Sequence, residues 1–218
     1  MGGIGFSQKG WVRLSYQFSV DELKSFSDLS SHIGRGQRLA DMAGLASRLP
    51  KAFKSELSQM GYNPAPLRAV GFNKSADENW SLPWHQDRII AMPRKDLDPR
   101  FKNWSRKSGI WHCEPPPDML AQIAFAYIAC DDIPAEAGGL EIAEATHMGG
   151  AIAEGNITEA VQAAKIARPS MQLGEVLLIS ALTLHRSAPM KTLGNRRALR
   201  IDFGSPALNL SRKRTGAP

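Results

Sequence analysis

The chain has 218 residues, 43% of them hydrophobic and 22% charged, with a formal net charge of +6. Such values are ordinary for a soluble globular protein, and the length suffices for one all-β barrel or sandwich with a substantial core. No run of about 18 apolar residues marks a transmembrane helix, and "MGGIGFSQKGWVRL" lacks the charged-then-apolar order of a signal peptide. Two cysteines, Cys113 and Cys130, are too few for a disulfide scaffold and match no zinc spacing. A cytoplasmic protein with no membrane partner is expected. The positive charge raises nucleic acid as a partner, but the basic residues are dispersed apart from the tail "SRKRTGAP", and no nucleic-acid-binding signature is present. That tail reads as solvated, so nucleic acid is not the expected partner.

In chain order, "GWVRLSYQF" reads as a short opening strand, and "SVDELKSFSDL" as a helix capped by Ser19 or Asp21. From Gln37 to Met60 the apolar residues Leu39, Met42, Leu45, Leu49, Phe53, Leu57 and Met60 recur at helical steps. Pro50 should divide this stretch into two helices, and Gly61 should stop the second. From Pro66 onward the texture changes to short strand-like runs: "LRAVGF", "RIIAM", "LAQIAFAYIA", "GLEIAEA", "GEVLLISA" and "ALRIDFG". "GNITEAVQAAKIA" interrupts them with a short helix, where Asn156 and Glu159 have capping-box spacing. Residues 91–119 carry few regular signals and read as a long loop, a candidate lid with Trp104 and Trp111. Helices first and strands afterwards predict a β-sandwich or barrel with helices on one outer face.

Within "LPWHQD", His85 and Asp87 stand two apart in a strand-like run and therefore share a face. On a core face, such a pair is either a hydrogen-bonded couple or holds something, a metal ion being one candidate. His185, in "GEVLLISALTLHRSAPM", follows a buried strand, and Arg196 comes eleven residues later in "NRRALRIDFG". Two histidines and a carboxylate on one face of a metal leave open positions opposite, the arrangement of non-haem Fe(II) oxygenases. A bidentate arginine suits a carboxylate-bearing cosubstrate. Strand parity puts Arg196 and Arg200 on one side, so both can face a cavity, with Arg197 as the adjacent rival.

These residues resemble those of the phytanoyl-CoA dioxygenase family of Fe(II)/2-oxoglutarate oxygenases. "NWSLPWHQDRIIAM" resembles the first metal-binding strand of bacterial members. "CDDIPAEAGGLEIAEATH" resembles the family's acidic turn, glycine and "PGSH" stretch, and "GEVLLISALTLHRSAP" its second-histidine segment. The similarity spans roughly residues 67–205. It departs at "EATH", where His147 reads as closing a turn or holding a backbone carbonyl, and at Arg186, where the family often has glycine.

The resemblance implies a double-stranded β-helix, or jelly roll. One oxygenase domain is expected, with N-terminal helices over about 19–61, a jelly-roll core over about 66–206 and a basic tail at 207–218. It implies Fe(II) on His85, Asp87 and His185, and 2-oxoglutarate held by Arg196 and Ser187. O2 would be the oxidant and a small or medium organic molecule the substrate, hydroxylated with release of succinate and CO2. Asp87 separates the chain from related halogenases, which carry Gly or Ala there. Trp84, Arg88, Trp111, His112 and Arg186 are the candidate substrate contacts, the charged ones favouring an anionic substrate. Lys74, in "GFNKS", could reach a carboxylate in the site, but a solvated strand end is the favoured reading. The contrasting reading is a non-oxidative jelly-roll metal protein that binds a divalent ion as a sensor.

Overall fold

A computed structural model describes residues 2–26, 36–39, 41–92, 94–107, 109–134, 138–191 and 195–208. Three antiparallel sheets organise the chain. Six strands make the largest: β1 (Trp11–Arg13), β2 (Gln37–Arg38), β3 (Pro66–Lys74), β8 (Ile123–Ala129), β11 (Val176–Ser180) and β13 (Arg196–Gly204). Their spatial order is β1-β11-β8-β13-β3-β2. Facing it is a four-stranded sheet of β4 (Leu82–His85), β9 (Leu140–Ala143), β10 (Ile166–Ala167) and β12 (His185–Ser187), in the order β10-β9-β12-β4. Every residue of β8, β9 and β11 is buried, as "IAFAYIA", "LEIA" and "VLLIS" require. Two antiparallel sheets folded face to face make the expected jelly roll.

The outer face of the large sheet is covered by α2 (Val20–Lys24), α3 (Met42–Arg48) and α4 (Lys51–Gln59), which follow α1 (Gly2–Lys9). Ser19 caps α2 in a full capping box with Glu22. The helical stripe buries Leu45, Leu49, Phe53 and Leu57 against Ala126, Leu199, Ile201 and Phe203. Phe53 is fully buried beside Tyr16, Phe18 and Phe203, a position where truncation typically costs about 3–5 kcal/mol. Pro50 separates the two helices as expected, and the turn closes at Gly61 through Tyr62 N–H donating to the Leu57 carbonyl.

Four sequence expectations are corrected. The stripe does not begin at Gln37, because Gln37 and Arg38 pair with Gly71 and Val70 as an edge strand. Helices do not fill all of 19–61, since β2 closes one edge of the large sheet, while the predicted opening strand, β1, closes the other. Residues 91–119 are not an irregular loop. They complete a third sheet, β5 (Ile90–Met92), β6 (Lys102–Lys107) and β7 (Ile110–Glu114), followed by α5 (Pro117–Leu120). Ile90, Met92 and Cys113 bury one face of it with Leu120 and Leu182. Finally, Asn156 makes no side-chain cap for α6 (Ile157–Ala163). The preceding 3-10 turn already holds it at φ −100° and ψ −2°, away from the extended backbone a capping side chain uses. Most of the basic tail, residues 209–218, lies outside the described residues. Among the described residues no helix is long and apolar enough to cross a membrane.

Candidate active site

Strand pairing brings the two histidines together. His185 on β12 lies opposite His85 on β4, with ring centroids 4.4 Å apart. β4 ends at His85, so the ladder does not carry Asp87. Its backbone N–H instead donates to the Ala181 carbonyl at 2.8 Å. Between the two, Gln86 turns the other way and is clamped. Its amide donates to the carbonyls of Leu182 (2.7 Å) and Gly150 (2.8 Å) and accepts from Ile152 N–H (2.8 Å). His85, Asp87 and His185 each offer a ligand atom, all within 4.8 Å of one another.

Tautomers follow from the backbone. His85 Nδ1 lies 2.8 Å from the Pro83 carbonyl and His185 Nδ1 lies 2.9 Å from the Thr183 carbonyl. A carbonyl only accepts, so each Nδ1 carries the proton and each Nε2 presents a lone pair. Thr183 is itself tied to the Gly10 carbonyl through its hydroxyl at 2.9 Å. Gly10 must be glycine: its φ is +79°, and a Cβ there would collide with Thr183 and His147.

His185 Nε2 faces Asp87 Oδ2 at 3.2 Å, and that buried oxygen has no hydrogen-bond partner. Two lone pairs face each other without a proton between them, which suits a cation. Asp87 Oδ1 is taken by Arg200 at 2.5 Å, leaving Oδ2 alone for a metal. Burial works to raise the Asp87 carboxyl, but the Arg200 guanidinium outweighs it and holds the group well below the usual carboxylate range. Burial lowers His85 and keeps it neutral. The donor set of two imidazoles and one carboxylate fits Fe(II).

Beside the cluster lies a cavity with apolar walls from Phe72, Trp80, Phe125 and Leu140. Arg196 and Arg200 both line it, as parity predicts, whereas Arg197 points outward to Asp131 at 2.6 Å. Arg196 is 1% exposed and donates to the Gly138 carbonyl, with Ser187 Oγ at 3.5 Å. Its Nε and the Tyr127 hydroxyl are buried without partners. No carboxylate pairs with Arg196 among the described residues. Gly138 has φ +65°, and a Cβ there would strike the Ala188 backbone, so only glycine brings its carbonyl this close.

Of the two sequence readings of Lys74, the site reading fits the structure and the solvated one does not. Lys74 is 0% exposed, and Cα register places it opposite Arg196. Its Nζ donates to Ser187 Oγ at 2.7 Å and to the Ala188 carbonyl, 4.5 Å over the Trp80 ring. Burial, and then the Arg196 charge, pushes it down to about 7. The available signal was parity: Lys74 falls in step with Phe72 and Val70 on β3, but the partner strand was unknown.

The candidate substrate contacts scatter. Arg186 lines the cavity, sits 5.0 Å over the Trp84 ring and pairs with Glu141. Arg88 is consumed by Glu114. Trp111 packs edge-on against Trp104 beneath Arg106. His112 is 1% exposed, with Nδ1 on the Ile110 carbonyl. None of residues 91–119 walls this cavity, so the expected lid contributes nothing to it. His147 holds the Ser7 carbonyl at 3.1 Å, as expected.

A jelly roll carrying this donor set beside a buried cationic pocket belongs to the non-haem iron oxygenases. The phytanoyl-CoA dioxygenase model matches residues 34–198, and the chain belongs to that family of Fe(II)- and 2-oxoglutarate-dependent oxygenases. No curated protein sequence matches the chain. Among solved structures, AviO1 from Streptomyces viridochromogenes is 15% identical, with a TM-score of 0.64 over 100% of this chain and 96% of that one. SnoK, a non-heme α-ketoglutarate-dependent carbocyclase from nogalamycin biosynthesis, is 12% identical, with a TM-score of 0.63 over 94% and 83%. HygX from Streptomyces hygroscopicus, solved with iron, is 16% identical, with a TM-score of 0.59 over 93% and 85%. At these identities the likeness is one of fold.

Proposed function

We propose that the protein hydroxylates an unactivated C–H bond of a small or medium organic metabolite. Substrate, O2 and 2-oxoglutarate would give the alcohol, succinate and CO2, one oxygen atom entering each of the first two products. His85 Nε2, Asp87 Oδ2 and His185 Nε2 would hold Fe(II), which supplies the oxygen-activating redox chemistry that no side chain offers. Arg196, Ser187 and Lys74 would bind the distal carboxylate of 2-oxoglutarate. One observation carries the reading: two buried cations, Arg196 and Lys74, converge on Ser187 with no carboxylate partner among the described residues, and Arg196 and Ser187 line the cavity that His85 and His185 also line. Buried unpaired cations are costly, and a bound carboxylate offsets that cost. A divalent-ion sensor has no use for them. The remaining groups position and exclude water: Arg200 fixes Asp87, and the Phe125 ring underlies both Arg200 (4.2 Å) and His185 (5.1 Å). The test is anaerobic titration of the Fe(II) protein with 2-oxoglutarate, read by visible absorption. Absence of a new charge-transfer band, with no succinate formed in air, would overturn the reading.

Asp87 fills the carboxylate position of the metal, so a halide ligand has no vacancy there. Product mass spectrometry in chloride buffer should show a gain of one oxygen and no chlorine; a chlorinated product contradicts the role given to Asp87.

Lys74 gives a pH signature. Its folded value near 7 lies below the ordinary lysine value, so the unfolded chain binds the extra proton above about pH 7. The destabilisation is therefore complete below that pH and relieved as pH rises through it. Lys74→Met should raise the melting temperature of the metal-free protein, most at acidic pH. The same charge should hold 2-oxoglutarate, so wild-type affinity should weaken as pH rises past neutrality. Lys74→Met should bind more weakly at acidic pH and lose that slope. Calorimetry and thermal melts across pH check both; unchanged 2-oxoglutarate affinity in the variant would remove Lys74 from the site.

A further inference from the structure

Cations and anions facing the large sheet's inner side can be matched one by one. Asp87 is bound by Arg200, whose Nε also meets Asp202 Oδ1 at 2.7 Å. The second Asp202 oxygen is taken by Arg68 at 2.6 Å, so both its oxygens are used. Under the oxygenase reading, Lys74 and Arg196 are served by the cosubstrate carboxylate. Arg38 is left over. It makes no ion pair or hydrogen bond among the described residues, and its Nε is buried without a partner.

Its place is defined by register. Arg200, Val70 and Arg38 lie directly opposite one another across β13, β3 and β2, so their side chains share the face that carries Arg200 to Asp87. With strands about 4.8 Å apart, Arg38 starts on the order of 10 Å from Arg200. Arg68 and His112 flank it. Burial first, then the nearby Arg68, lowers Arg38. Burial likewise lowers His112, helped by Arg38, Arg68 and Lys107. His112 spends its Nδ1 proton on the Ile110 carbonyl, which leaves Nε2 without an assigned partner. Positive charges thus gather here, and the carboxylate that joins them among the described residues, Asp202, is already committed to Arg68 and Arg200. Such crowding is unfavourable unless an anion joins it.

We propose that Arg38, backed by Arg68, anchors an oxyanion of the organic substrate, a carboxylate or phosphate. The enzyme then acts on small acidic metabolites. The proposal rests on the oxygenase reading and names the substrate class for that site. It moves substrate recognition from the 91–119 segment, whose Arg88 neighbour and Arg100 are already paired with Glu114 and Asp98, to the edge strand β2.

The test uses the full chain loaded with Ni(II) and saturated with N-oxalylglycine, the inert amide analogue of 2-oxoglutarate, so that the Arg196 pocket is filled. Phenylacetate, phenyl phosphate and neutral phenylacetamide are then titrated by calorimetry. At least one anion should bind and the amide should not; whichever anion binds more tightly distinguishes carboxylate from phosphate. Arg38→Gln should weaken that anion about tenfold or more, as loss of a charge-assisted contact does, with N-oxalylglycine affinity unchanged. Arg38→Lys, which keeps the charge on the edge strand, should recover part of the loss. Equal binding of anion and amide, no binding at millimolar concentration, or an Arg38→Gln constant equal to wild type would overturn the proposal. Should Arg38→Gln melt early, a failure of Arg38→Lys to recover any binding at full stability would overturn it too. Failure of the wild type to bind metal or N-oxalylglycine would instead defeat the oxygenase reading, independently of Arg38.

Discussion

His185→Ala should lose iron binding and succinate formation together, while its circular dichroism matches wild type. His185 is 4% exposed, its Nδ1 is spent on Thr183, and its Nε2 looks directly at Asp87 Oδ2. Alanine removes one of three donors. Losing even a partner behind a ligand typically costs about 10–100-fold in metal affinity, so losing the donor itself should cost more. The imidazole meets the β8 core at the Phe125 ring, and the rest of β8 and β11 is held by apolar side chains, so the fold should survive. His85→Ala should behave alike, since it faces His185 across one ladder position. Iron content after anaerobic loading is the direct readout. Wild-type iron content in either variant would remove that residue from the metal site.

Arg196→Ala should raise the apparent 2-oxoglutarate constant by tens of times or more, with iron loading retained. Truncating one member of a buried charge pair typically costs about 2–5 kcal/mol, because the partner is left desolvated and alone. Here that partner is the incoming carboxylate. Two nearby arginines provide the contrast. Arg197 is bound to Asp131 on the outer face, so Arg197→Ala should leave the constant unchanged. Arg200 grips Asp87, so Arg200→Ala should weaken iron first and 2-oxoglutarate only through it. Steady-state constants for 2-oxoglutarate at saturating iron, beside iron affinities, separate all three. A large 2-oxoglutarate effect confined to Arg197→Ala or Arg200→Ala would shift the assignment to that residue.

Much of this site is local in origin and so was legible in the chain. A spacing of two puts His85 and Asp87 on one side of an extended backbone, and a spacing of four does the same for Arg196 and Arg200 on β13. A continuous apolar run announced β11 as a buried strand, and the run at β8 announced a strand. What stayed hidden depends on partners distant in sequence. Lys74 looks like any strand-end lysine until β13 is known to lie beside it with Arg196 in register. Gln37 and Arg38 fit the start of a helical stripe, and only the unpaired edge of β3 makes them a strand. The 91–119 segment alternates too briefly to announce sheet, yet Ile90, Met92 and Cys113 gain enough burial against Leu120 and Leu182 to order it. The charge chain from Arg68 through Asp202 and Arg200 to Asp87 joins three separated segments, and no motif spans it.

Both imidazoles proposed as metal ligands are oriented by a carbonyl two residues earlier in the chain, Pro83 for one and Thr183 for the other. A main-chain oxygen is present whatever residue bears it. Ring orientation is therefore inherited with the backbone, and no neighbouring side chain has to be preserved for its sake. Over evolutionary time, the cavity walls and the outlying cations can change to suit a new substrate without disturbing the chemistry-bearing centre. Innovation in what is oxidised is thereby uncoupled from how the oxidant is made.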